Sequence, residues 1–185
     1  MFAGHFGIAA AVKIVTKNLP VWSLIVSTQL LDIVFLPLTF VGLETIGDPI
    51  AGGRGTVIHA EYSHSLLGAV LLSFLAGALA RRLWGWKNGV IIGLVTFSHW
   101  IIDFIVHVPD LPVLPGNFGN LPYLGLGLWQ STEGSIVIEV ILLIIGGLLY
   151  LVYTVQKMKK KWNIKYLLQG ILMILFLALS LAIGL

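Results

Sequence analysis

The chain has 185 residues, of which 58% are hydrophobic and only 10% charged, and its mean hydropathy is +0.99. The apolar share is far above that of an ordinary soluble domain and the charge far below it, which leaves an integral membrane protein. With no cysteine, disulfides and thiolate metal sites are excluded, so any metal must be held by nitrogen and oxygen.

A hydrocarbon core of about 30 Å needs about 20 apolar residues per helix. The first apolar run, 3–17, is shorter. At ~1.5 Å per residue it reaches about two thirds of the way across, unless Lys13 and Lys17 snorkel to the boundary. It lacks the basic leading region of a cleavable signal peptide. His5, in "MFAGHFG", is taken singly a commonplace polar group at a helix start. The second run, 20–43, carries Asp32 in "LLD". A connection over 44–62 follows, too short to fold alone and punctuated by Gly and Pro. It ends in "IHAEYSHSLLGAV", where His59 and His64 flank Glu61 at the entry to the third run, 63–80.

The fourth run, 88–108, contains "FSHWIIDFIVHVPD", in which His99, Asp103 and His107 recur every four residues. Positions i and i+4 share a helix face about 6 Å apart, so His99 with Asp103, or Asp103 with His107, can share one cation. His99 and His107 are about 12 Å apart by helix rise, too far for one ion. The bland alternative is an Asp–His ion pair that pins helix packing. The loop 109–132 combines four prolines with Tyr123 and Trp129. It reads either as a lid folded back over a cavity or as ordinary aromatic anchoring at the interface. Runs 133–155 and 166–185 complete an all-α bundle of six helices, a single domain over 1–185. Glu139 reads as a paired structural acid or as a proton carrier. Gly146 and Gly147, like the Gly-rich third helix, read as close helix contacts, and the last helix as scaffold.

Every Lys and Arg except Arg54 falls at Lys13 and Lys17, at Arg81, Arg82 and Lys87, or in "QKMKKKWNIK". With six helices these places lie on one side, which the positive-inside rule makes cytoplasmic. Both termini then face outward from a plasma-type (inner) membrane. The pI near 9.3 follows from this topology and from anionic lipid, with no nucleic-acid partner implied. All five histidines fall on the outward side. Asp32 and Asp103 lie deep, where a charge costs at least about 2.5–3.5 kcal/mol, and should therefore be paired, protonated or metal-bound. Imidazole and carboxylate without thiolate suit Zn²⁺, Mn²⁺ or Fe²⁺, ions that bring water to a pKa near neutrality.

The ordered set "GH", "LLD", "HAEYSHSLL" and "SHWIID" resembles the YdjM-type inner-membrane proteins, described as membrane-bound metal-dependent hydrolases. Their pattern runs GH, LPDIDH, HRGFTHSLL, SHxxxD, and the resemblance spans residues 4 to 116. It implies His5, Asp32, His59, His64, His99 and Asp103 as metal-site candidates, with His107 outside the pattern. Val34 and Phe35 stand where the family has a second acid and a histidine, which argues for one ion. Ala60 and Glu61 replace Arg and Gly, and Glu61 is a candidate either to compensate for the lost acid and histidine or to act as general base. The expectation is a metal-dependent hydrolase, zinc first, acting on an ester or phosphoester of an amphiphilic substrate at the outer face, with His107 orienting the substrate or protonating the leaving group. The rival is a permease for a metal ion, a proton or a small solute that uses the same cavity. A third reading is an assembly protein with a structural metal.

Overall fold

The computed structural model describes residues 2–16, 18–160 and 162–184. Lys17, one of the basic residues used to orient the chain, lies outside the described residues, as does Lys161. In order the elements are α1 (Phe2–Val12), α2 (Val21–Thr28), α3 (Leu30–Phe40), β1 (Thr45–Pro49), β2 (Thr56–His59), α4 (Leu66–Trp84), α5 (Trp86–Val106), α6 (Thr132–Lys160) and α7 (Ile164–Gly184). Among the described residues α4, α5, α6 and α7 are long and apolar enough to cross a membrane; α2 and α3, bent by 52° at Gln29, would make a fifth span if they act together. The helix expected over 3–17 ends at Val12. Its 11 residues extend about 16 Å, too short to cross alone.

The chain divides into two compact units, the first comprising 1–26 and 138–185, the second 27–137. In the first, Ala3, Phe6 and Ala10 of α1 pack with Leu143, Tyr150 and Tyr153 of α6 and with Met173 and Leu177 of α7. Gly7 and Gly146 set the approach of α1 to α6. A Cβ on Gly7 would stand 2.5 Å from the Leu142 carbonyl oxygen, and one on Gly146 only 2.2 Å from that of Gly7. The reading of Gly146 as a close helix contact holds. Glu139 serves the start of α1: its Oε1 accepts the N–H groups of Ala3 and Gly4, at 2.8 and 3.3 Å. Two of the donors that a helix start leaves without intrahelical partners are satisfied in this way. At the other end of α1 the Lys13 ammonium donates to the carbonyls of Thr16 and Leu19.

In the second unit α4 and α5 form an antiparallel hairpin turned at Gly85, whose φ of +85° favours glycine. They approach through backbone, since a Cβ on Gly77 would lie 2.9 Å from the Gly89 carbonyl oxygen. α4 starts at Leu66 because Ser65 caps it, its Oγ accepting the Gly68 N–H at 3.0 Å. It runs on to Trp84 because Arg81 and Arg82, which end the apolar run, still form helix and favour its C-terminal turn. Between α3 and α4 the 44–62 connection forms an antiparallel hairpin, Thr45 opposite His59 and Ile46 opposite Ile58. The all-α expectation did not include it. In the strand TIGDP Thr45 and Ile46 favour extended chain, but Gly47, Asp48 and Pro49 do not, so the segment gives no alternating signal.

The loop after α5 does fold back. The carbonyls of Pro112 and Val113 accept the N–H groups of Leu66 and Leu67, and that of Glu61 accepts the Gly116 N–H. Trp129 is buried against His107, with ring centres 4.1 Å apart, so it packs within the unit instead of anchoring in the interface.

Candidate metal centre

Three elements of the second unit place four side chains together. α5 carries His99 and Asp103 on one face, one turn apart. α3 presents Asp32 in its first turn. The turn before the Ser65 cap presents His64, whose carbonyl accepts the Trp100 indole N–H at 2.9 Å. Trp100 is itself stacked between Phe97 and Phe104, a rigid backing for this turn.

Nε2 of His64 lies 3.3 Å from Nε2 of His99, 3.4 Å from Asp32 Oδ1 and 3.6 Å from Asp103 Oδ2. Nε2 of His99 lies 2.9 Å from Asp103 Oδ2 and 3.6 Å from Asp32 Oδ1. The His64, His99 and Asp103 side chains are at least 95% buried, whereas that of Asp32 is 40% exposed and opens one side of the cluster.

Hydrogen bonds on the far side of each ring fix which nitrogen faces inward. His99 Nδ1 is 2.6 Å from the Thr28 carbonyl, which can only accept, so Nδ1 carries the proton. His64 Nδ1 is 2.8 Å from Ser63 Oγ. That hydroxyl has one proton, and it donates to Glu44, whose two oxygens lie 3.0 and 2.9 Å away. Ser63 must therefore accept from His64 Nδ1–H. Glu44 is fully buried and also accepts the N–H groups of Tyr62 and Ser63, both at 2.8 Å.

In the neutral rings both Nε2 lone pairs are then turned toward each other and toward two carboxylates. Four electron-rich atoms this close repel unless a cation stands among them. Protons on the two Nε2 atoms would pair His99 with Asp103 and His64 with Asp32; a divalent ion among Asp32, His64 and His99 would do the same work with one charge centre. Bonds of about 2.0–2.1 Å to a tetrahedral ion need ligand atoms about 3.3–3.4 Å apart. The His64–His99 and His64–Asp32 separations, 3.3 and 3.4 Å, are of that size and the His99–Asp32 separation is 3.6 Å, so a His/Asp group that could hold a metal ion is present.

Within the second unit the other candidates are placed differently. His107 is buried beside the cluster, its Nδ1 2.9 Å from Asp110 Oδ1 and its Nε2 3.9 Å from Asp103 Oδ1. Asp110 Oδ2 also accepts the Ile58 N–H and so ties the β-hairpin to the end of α5. His59 stands exposed at the end of β2. Glu61 Oε1 takes the Tyr123 hydroxyl at 3.2 Å, and neither residue is among the converging atoms. His5 is buried on α1 in the first unit. Glu44, Ser63 and Asp110 carry no motif that assigns them a role; the one local signal is the Ser63 hydroxyl adjoining His64. Compared with family models, curated proteins and solved structures, the chain matches none.

Proposed function

We propose that the chain is a membrane-embedded metal-dependent hydrolase in which Asp32, His64, His99 and Asp103 hold one divalent ion, zinc first and manganese or iron next. The carrying observation is that two imidazoles, each pinned through Nδ1, turn Nε2 toward the same two carboxylates. Such an ion supplies Lewis acidity toward a carbonyl or phosphoryl oxygen and lowers the pKa of water toward neutrality. The exposed side of Asp32 is the side from which substrate reaches the centre. Phe35, edge-on to His64 with ring centres 5.8 Å apart, fills space beside the cluster, in keeping with a single ion. His107, oriented by Asp110 and backed by Trp129, is suited to position the substrate or protonate the leaving group.

The substrate in this reading is an amphiphilic ester or phosphoester at the extracytoplasmic face of a plasma-type membrane. His99 and Asp103 lie about 20 and 26 Å along α5 from its basic end at Arg81, Arg82 and Lys87, which the positive-inside rule makes cytoplasmic. The family resemblance supports the same reading through the motifs that carry Asp32, His64, His99 and Asp103.

A second reading, a permease, draws on one observation: the break at Gln29, next to the Thr28 carbonyl that holds His99. Transporters place broken helices at their sites. Elemental analysis of wild type, His64→Ala and Asp103→Ala in one detergent separates the two. Stoichiometric metal lost in both variants supports the hydrolase. A folded, metal-free wild type that sustains solute flux in sealed proteoliposomes transfers the site to transport. Glu61→Gln decides whether that carboxylate acts as base: metal kept with turnover lost retains it, and undiminished turnover removes it.

A further inference from the structure

Away from the Asp32–His64–His99 cluster, a cavity of about 590 Å³ lies along the α4–α5 hairpin and is lined by Ser73, Phe74, Gly77, Arg81, Arg82 and Trp86, among others. A second hollow of about 350 Å³ shares Ser73, Phe74, Val90 and Gly93 with it and continues toward Val70 and Phe97. The groove exists because the two helices meet through glycine backbone, so no side chains fill the floor between them. Its walls, Phe74, Val90 and Leu94, are exposed hydrophobics. From Arg82 to Val70 it follows twelve residues of α4, about 18 Å. That is close to the depth of one leaflet's hydrocarbon, about 15 Å.

One end of the groove is cationic. Arg81 and Arg82 line it, and the Arg81 guanidinium lies 4.5 Å over the Trp86 ring. Between Tyr62 and Ile102 the chain has no Asp or Glu, and among the described residues no carboxylate pairs with either arginine. A pair of planar guanidiniums beside an amphipathic indole is a phosphate-binding chemistry, here set at the mouth of a channel of acyl-chain length. We propose that this groove binds one anionic glycerophospholipid from the leaflet on the Arg81/Arg82 side, its phosphate on the two arginines and one acyl chain along the Gly77–Gly93 floor.

The test uses full-length protein, delipidated and incubated with phosphatidylglycerol or with phosphatidylcholine of the same chains, then read by native mass spectrometry. Wild type is expected to retain one phosphatidylglycerol through washes that remove phosphatidylcholine. The Arg81→Gln/Arg82→Gln double variant is expected to lose that preference at least tenfold. Ala78→Trp, at an exposed wall position of the cavity, should fill the groove and lose the lipid with both guanidiniums intact. Equal retention of the two lipids, or undiminished phosphatidylglycerol in either variant, overturns the site in favour of general surface attraction. A lipid-free wild-type dimer that Ala78→Trp makes monomeric overturns it in favour of a second copy in the groove.

Discussion

A single hydroxyl decides which nitrogen His64 offers to the cluster. Ser63 gives its proton to Glu44 and accepts from His64 Nδ1; without that acceptor, the ring is free to take the other tautomer. Ser63→Ala and Glu44→Gln are each expected to weaken metal binding by about 10–100-fold, the usual effect of losing a partner that orients a ligand, as measured by competition with a chelator. Affinity unchanged in both would separate the Glu44–Ser63 pair from the metal. His107→Ala is expected to keep stoichiometric metal, since His107 Nε2 stands 3.9 Å from Asp103 and outside the converging set; loss of metal there would make His107 a ligand. Glu44 was not legible as a partner because it is 19 residues from Ser63. Its approach depends on the connection between α3 and α4, which has no periodic pattern.

At the scale of elements, glycine positions control how closely backbones meet. Gly146→Ala places a methyl 2.2 Å from the Gly7 carbonyl oxygen, whereas Gly147→Ala meets the side-chain ends of Ile174 and Leu177, at 3.0 and 3.6 Å. The first should destabilise by about 1–3 kcal/mol through overpacking and the second by less, as read from thermal unfolding in detergent. Equal effects would contradict the α1–α6 contact. Gly68→Ala sets a Cβ 2.1 Å from the Tyr62 carbonyl oxygen, in the turn that delivers His64. It is expected to release metal although no ligand changes, and full occupancy would show that the turn tolerates the shift. Periodicity made the four long helices readable. It did not show the bend at Gln29, nor the strand β1, which forms only because Thr56–His59 pairs with it.

For the whole molecule, the positive-inside rule expects the three basic clusters on one side, and a cysteine placed at Asn117, in the loop after α5, tests that orientation. It should react with an impermeant reagent added outside the cell. Labelling only from within would reverse the orientation and move the site to the cytoplasmic face. Composition alone determined a membrane protein, since 58% hydrophobic residues and 10% charge leave little choice of solvent. The spacing of His99 and Asp103 determined half of the cluster, because residues four apart on a helix are neighbours whatever else the chain does. Only the tertiary structure decided that His64 joins them while His59, five residues earlier, stays exposed on β2. Only it, too, brought Asp32 from α3 and the Thr28 carbonyl to the same place. Contacts between elements far apart in sequence depend on how helices are broken, capped and packed, and no local pattern of residues records that.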